Sequence, residues 1–196
     1  MLARNSLLAA AIAGASLPAG AVDNYSVDPN HTYPSLEFSH MGISTWRGRF
    51  NKTSGKITLD RAAKTGTAQI QVDVTSIDFG HALMKKFALA EDWLNPKKFP
   101  RMTYKGTIVF TGDMPTSVDG QLTLLGVTKP LTLKINRFKC IEHPMFKKEV
   151  CGADAEGEMN RLEWGMKEYP EGAKIHLRIQ VEANKEDDPL QPKSSS

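Results

Sequence analysis

Leu122 and Leu124 before a turn, and Leu131, Leu133 and Ile135 after it, alternate with mostly polar residues through the stretch Gly120 to Ile135. Period-two alternation of this kind describes strands with one buried face, so the stretch predicts a β-hairpin joined by Gly126-Val127-Thr128-Lys129-Pro130. The same rhythm, whole or in fragments, recurs at 25–27, 36–40, 48–50, 56–60, 68–74, 104–110 and 173–182, with a turn expected at Ser54-Gly55. A meander of this kind must dispose of its edges, and closure into a barrel removes them. The expected fold class is therefore mostly β: a single antiparallel barrel of about eight strands, whose interior side chains fill or a small ligand occupies.

One segment breaks the strand rhythm. Between Asp78 and Asn95-Pro96, Leu83, Phe87, Ala90 and Leu94 recur at helical spacing, with Lys85, Lys86 and Glu91 on other faces. This predicts one short helix of about three turns, stopped by Asn-Pro, with its apolar stripe packed over the barrel as a flap or as a plain cover for core.

The amino terminus has the three-part pattern of a secretory signal peptide: Arg4, an apolar run from Leu7 to Ala15, and Ala19-Gly20-Ala21 at the cleavage position. Cleavage after Ala21 is expected, giving a signal peptide at 1–21, a barrel domain at 22–185 and a disordered tail at 186–196, where charge, Pro and Ser replace apolar residues. The expected location is periplasmic. The chain carries 25 Lys+Arg against 22 Asp+Glu, so loss of Arg4 takes the net charge from +3 to +2. Basic pairs such as Lys97-Lys98 and Lys147-Lys148 are scattered rather than clustered on one face, which argues against a nucleic-acid partner.

In an exported chain, Cys140 and Cys151 are expected to pair as a disulfide. The alternative is a zinc site that adds His143 and Asp154; it lacks any paired C-x-x-C spacing. Catalytic motifs are missing: there is no Gly-x-Ser-x-Gly elbow, His-Glu-x-x-His, phosphate-binding loop or dinucleotide fingerprint. Of the five dispersed histidines, His40 shares the inward side with Leu36 and Phe38, where an imidazole suits either a ligand head group or a neighbouring side chain.

Taken in order, several short motifs resemble one family. They are Tyr25-Ser26-Val27-Asp28 with His31, Glu37-Phe38-Ser39-His40-Met41-Gly42-Ile43-Ser44, Gly48-Arg49-Phe50, Ser76-Ile77-Asp78, Asp92-Trp93-Leu94-Asn95, Phe99-Pro100, the Gly120–Ile135 hairpin, Trp164-Gly165-Met166 and the closing Leu177–Ala183 strand. The pattern resembles the YceI-like family of secreted bacterial, lipocalin-like barrels. That resemblance implies a non-enzymatic protein without a cofactor, which holds a polyisoprenoid such as a quinone tail in an elongated apolar cavity, for transport, storage or protection. It also implies transient membrane contact for lipid exchange and leaves a homodimer open. Many relatives carry an Arg-Asp-x-His-Leu-like run where this chain has Met84-Lys85-Lys86-Phe87-Ala88, so the entrance here is expected to be more apolar.

On that reading Phe38, Phe50, Ile70, Val72, Leu122, Leu124, Leu133 and Ile135 line the cavity. His40 serves as a ligand contact, and Leu83, Phe87 and Trp93 lie near the mouth. A one-residue register slip would expose the opposite set. The competing expectations are a filled barrel with these residues as core, a secreted enzyme for an apolar substrate, and a stress-response scaffold without ligand.

Overall fold

The computed structural model describes residues 22–187. The predicted signal peptide at 1–21 and positions 188–196 of the predicted tail lie outside the described residues. Eleven strands run in chain order: β1 (Asp23–Val27), β2 (Ser35–His40), β3 (Ser44–Phe50), β4 (Thr53–Asp60), β5 (Thr65–Asp73), β6 (Ile77–Asp78), β7 (Arg101–Thr111), β8 (Met114–Leu124), β9 (Val127–Glu142), β10 (Glu149–Asn160) and β11 (Lys174–Lys185), with α1 (Ala82–Ala88) between β6 and β7.

Antiparallel pairing runs β1-β4-β5-β7-β8-β9-β10-β11 and closes by β11 onto β1, a ring of eight. The other three strands prolong this ring. β1 and β2 both lie along β11, at Ala183–Lys185 and at Ile175–Arg178, so they form one ribbon interrupted at 28–34. β3 continues into β4, and β5 into β6, in the same broken manner. The predicted mostly-β barrel of eight antiparallel strands with one covering helix is the fold observed.

Alternation places the apolar faces as expected along the hairpin: Leu122, Leu124, Leu131 and Leu133 are buried. The turn itself differs. It consists of Leu125-Gly126, both with positive φ (53° and 76°), and Val127 to Pro130 already belong to β9. A two-residue turn of this hand matches strand twist, which explains why the chain reverses so tightly. The expected turn at Ser54-Gly55 is also corrected: both residues lie inside β4, and the bend is at Asn51-Lys52. Gly55 is there because a Cβ would stand 2.3 Å from the Gln69 carbonyl.

The helix is shorter than its periodicity predicts. α1 spans seven residues, and Leu89 leaves the helical path. The chain then folds back so that Leu94 N–H donates to the Ala88 carbonyl and Asn95 N–H to the Ala90 carbonyl. Ala88, Leu89, Trp93 and Leu94 therefore face the core, while Leu83 and Phe87 stay 54% and 56% exposed. The predicted stripe is divided between a short helix and a turn.

The upper end of the barrel carries the β2–β3 turn, α1 with its flanking loops, and the segment 161–173. Val74, Ile77, Met102, Trp164 and Met166 are buried at this end. Arg161, 4% exposed, holds the last segment in place. Its guanidinium donates to the carbonyls of Met166, Glu168, Tyr169 and Gly172 and lies 4.7 Å from the Trp93 ring centroid.

Candidate binding site in the barrel interior

Inside the ring a void of about 110 Å³ remains, towards the lower half. Strand alternation builds its walls: Ile57 and Leu59 from β4, Ala68 and Ile70 from β5, Tyr104 and Ile108 from β7, Leu133, Ile135 and Phe138 from β9, and Ile179 and Val181 from β11. Thr32 and Pro34 add a patch where the 28–34 segment interrupts the wall. β9 keeps Ile135 and Phe138 facing inward, three residues apart, because a bulge opposite Asp154/Ala155 resets the alternation.

The lining includes no Lys, Arg, His, Asp or Glu. Its polar groups are hydroxyls. Tyr25 donates to Glu149 Oε1 at 2.5 Å, and Tyr104 has the carbonyls of Val118 and Leu131 each 2.9 Å from its oxygen. Burial, reinforced by the Glu149 carboxylate, pushes the Tyr25 phenol well above the ordinary tyrosine range; burial does the same to Tyr104, with Asp119 adding to it. Both hydroxyls therefore remain neutral donors. Glu149 in turn receives Arg61 at 2.9 and 3.0 Å, and Asp23 bridges Arg61 and Lys185, so a charged cluster stands beside the lower end of the barrel.

The predicted lining residues divide into four groups. Ile70, Leu133 and Ile135 border the void. Phe50, Val72, Leu122 and Leu124 are buried in the packed core. Phe38 sits in the β2–β3 extension against Trp46 and edge-on to Phe79, and His40 stacks on Trp46 with ring centroids 4.4 Å apart. At the upper end Trp93 stacks with Tyr169, while Leu83 and Phe87 face outward. The alternation at Ile57/Leu59, at Tyr104/Ile108 and at Ile179/Val181 was a signal for further lining residues in β4, β7 and β11; nothing local singles out Phe138.

Cys140 and Cys151 form the expected disulfide across β9 and β10, with Cα atoms 4.0 Å apart. Their sulfurs and the Glu149 carboxylate lie within 4.8 Å of one another, but the sulfurs are bonded together and Glu149 is engaged by Tyr25 and Arg61. His143 Nδ1 instead accepts from the N–H groups of Met145 and Phe146, and Asp154 faces Arg137, so the alternative zinc set is not assembled.

A larger cleft of about 780 Å³ lies outside the barrel, between the β2–β3–β6 extension and β9 to β11. It is open to solvent and of mixed charge, with Arg47 and Arg178 both on Glu37 at 3.0 and 3.2 Å. Exposed ion pairs of this sort are weakly held and give no shaped apolar surface. The interior is the better candidate for binding because it lies within the barrel ring and its walls are apolar.

Residues 25–186 match the model of the YceI-like domain. A UPF0312 protein of Shewanella denitrificans is 31% identical over 91% of this chain and 98% of its own. Among solved structures, a Campylobacter jejuni YceI protein superposes with a TM-score of 0.64 at 24% identity, covering 76% of this chain and 90% of its own. A polyisoprenoid-binding domain from Saccharophagus degradans, implicated in plant cell-wall breakdown, superposes with a TM-score of 0.60 at 13% identity, over 83% and 98% of the two chains. With the family model covering most of its length, this chain belongs to the YceI-like family.

Proposed function

We propose that this protein is an exported lipid-binding barrel that holds a polyisoprenoid chain, such as the tail of an isoprenoid quinone, for transport, storage or protection. It acts as a binding protein rather than as an enzyme. The observation that carries this reading is the interior void with apolar walls that hold no Lys, Arg, His, Asp or Glu, in a barrel of the YceI-like family. The polyisoprenoid-binding domain with the same fold gives the ligand class its precedent.

A prenyl chain needs little polar recognition. Each buried CH₂ contributes ~0.8 kcal/mol, so one five-carbon isoprene unit contributes roughly 4 kcal/mol. The void of about 110 Å³ is small beside ordinary ligand pockets of ~300–1,000 Å³, so a long chain must part side chains that are now in contact. Ligand loading is therefore coupled to repacking of the interior. Exposed apolar side chains occur at both ends, Met41, Ile43, Leu83, Phe87 and Tyr169 at the upper and Ile141, Met145 and Phe146 at the lower, which suits transient membrane contact during lipid exchange. Export by the 1–21 segment would place this work in the periplasm.

The test is to incubate delipidated protein, without residues 1–21, with a polyprenyl quinone and separate bound from free by gel filtration. Co-elution near one lipid per chain supports the reading. Absence of co-elution at micromolar protein, with the barrel folded by circular dichroism, would refute it.

A further inference from the structure

Four hydroxyl side chains border the interior void: Tyr25, Thr32, Thr53 and Tyr104. Three are committed. Tyr25 donates to Glu149, Tyr104 to a backbone carbonyl, and Thr32 Oγ1 both donates to the Glu182 carbonyl at 3.1 Å and accepts from the Glu182 N–H at 3.0 Å. Thr53 differs: it is 3% exposed, and its Oγ1 has no hydrogen-bond partner, the one such buried side-chain atom among the described residues. It stands at the start of β4, paired with Val72 across the sheet, next to the interruption of the wall at 28–34.

Buried hydroxyls are ordinarily paired, and an unpaired one is costly. Retaining Thr here, where the nearly isosteric Val would avoid that cost, is accounted for when something entering the void supplies the partner. A threonine hydroxyl turns about one bond and can both donate and accept, so it suits an alcohol or a carbonyl equally. A charged end group is disfavoured, because the lining offers no cation to offset its desolvation.

We propose that the interior binds an isoprenoid by an uncharged oxygen-bearing end, an alcohol or a carbonyl, anchored on the Thr53 hydroxyl. This rests on the reading that the interior is the isoprenoid site, and it adds both the chemistry of the end group and its location. The polar end lies inside the barrel beside Thr53. An anionic head, by contrast, would have to remain outside.

The experiment compares three probes of equal chain length, geranylgeraniol, the corresponding hydrocarbon without the hydroxyl, and geranylgeranyl diphosphate, by displacement of the fluorescent apolar dye N-phenylnaphthylamine. The wild-type protein is expected to bind the alcohol roughly tenfold more tightly than the hydrocarbon, and also more tightly than the diphosphate. Thr53→Val should abolish the alcohol's advantage while leaving the hydrocarbon unchanged, and Thr53→Ser should retain it. An alcohol advantage that survives in Thr53→Val, or equal weakening of both probes, would overturn the anchor, as would a diphosphate bound as tightly as the alcohol. If the hydrocarbon binds but the alcohol gains nothing, a solvent molecule satisfies Thr53 and the anchor alone falls. If no probe displaces the dye from the wild-type protein, the isoprenoid reading of the interior falls with it.

Discussion

Filling the void separates a binding site from a packing flaw. Ala68 on β5 is buried, borders the void and lies in register with Ile57 on β4 and Gly106 on β7, so a larger side chain has room ahead of it. Ala68→Leu adds three carbons, a gain of up to about 2.4 kcal/mol at ~0.8 kcal/mol each. From the other direction, a void of about 110 Å³ costs about 2.6 kcal/mol at ~24 cal/mol per Å³. The two agree. With part of the gain lost to an imperfect fit, lipid-free Ala68→Leu should be more stable by about 1–2 kcal/mol, raising Tm by roughly 2–8 °C for a domain of this size. A lipid entering the void must now displace that side chain, so affinity for a polyprenyl quinone should fall by about tenfold or more. Thermal melts followed by circular dichroism and a binding titration on the same preparation read both effects. A stabilised variant with unaltered affinity would place the lipid elsewhere, and a loss of more than about 1 kcal/mol would show that the void cannot take a leucine.

The two ends of the barrel should respond differently to bulk: Leu124→Trp, in the packed upper half, should destabilise the fold by about 1–3 kcal/mol in urea melts, whereas Leu133→Trp, on the void, should cost less and block lipid uptake. Replacing both Cys140 and Cys151 by Ser opens a crosslink between residues eleven apart in sequence, and should lower stability by about 3 kcal/mol in the same assay. Burial alone would raise the Glu149 pKa, but the Tyr25 hydroxyl and the Arg61 guanidinium hold it below the ordinary glutamate range. A depressed folded value means stability that is present at neutral pH and is lost progressively as pH falls below the ordinary glutamate value of about 4.3, so urea midpoints should drop as pH is lowered from about 5. Glu149→Gln should flatten that drop and cost about 1–2 kcal/mol at pH 7, which a pH series of melts would check.

The hairpin was legible in sequence because leucines alternate through it, and the same alternation assigned the inward faces of Leu122, Leu124, Leu131 and Leu133. Its turn was misplaced because Pro130 suggested a break. Pro130 lies in β9 but outside the stretch, Ile135–Glu142 with Lys134, that pairs with β10, where a missing N–H is tolerated. β10 left a weak signal, since its inward residues are Cys151, Ala153, Ala155, Gly157 and Met159, mostly too small to mark an apolar face. The helix was over-extended because Leu83, Phe87, Ala90 and Leu94 fit one helical stripe, whereas hydrogen bonds to the Ala88 and Ala90 carbonyls turn the chain after its seventh residue. The burial of one end of the barrel depends on Trp164, Met166 and Ala88 arriving from distant segments. Local periodicity carries no record of that.

Mass spectrometry of an organic extract tests the central claim most directly, using protein purified without detergent from the cell that makes it. The account predicts an isoprenoid lipid near one per chain, with an uncharged alcohol or carbonyl end group. An extract free of isoprenoid, unchanged after the folded protein is exposed to polyprenyl quinones and polyprenols, would contradict it.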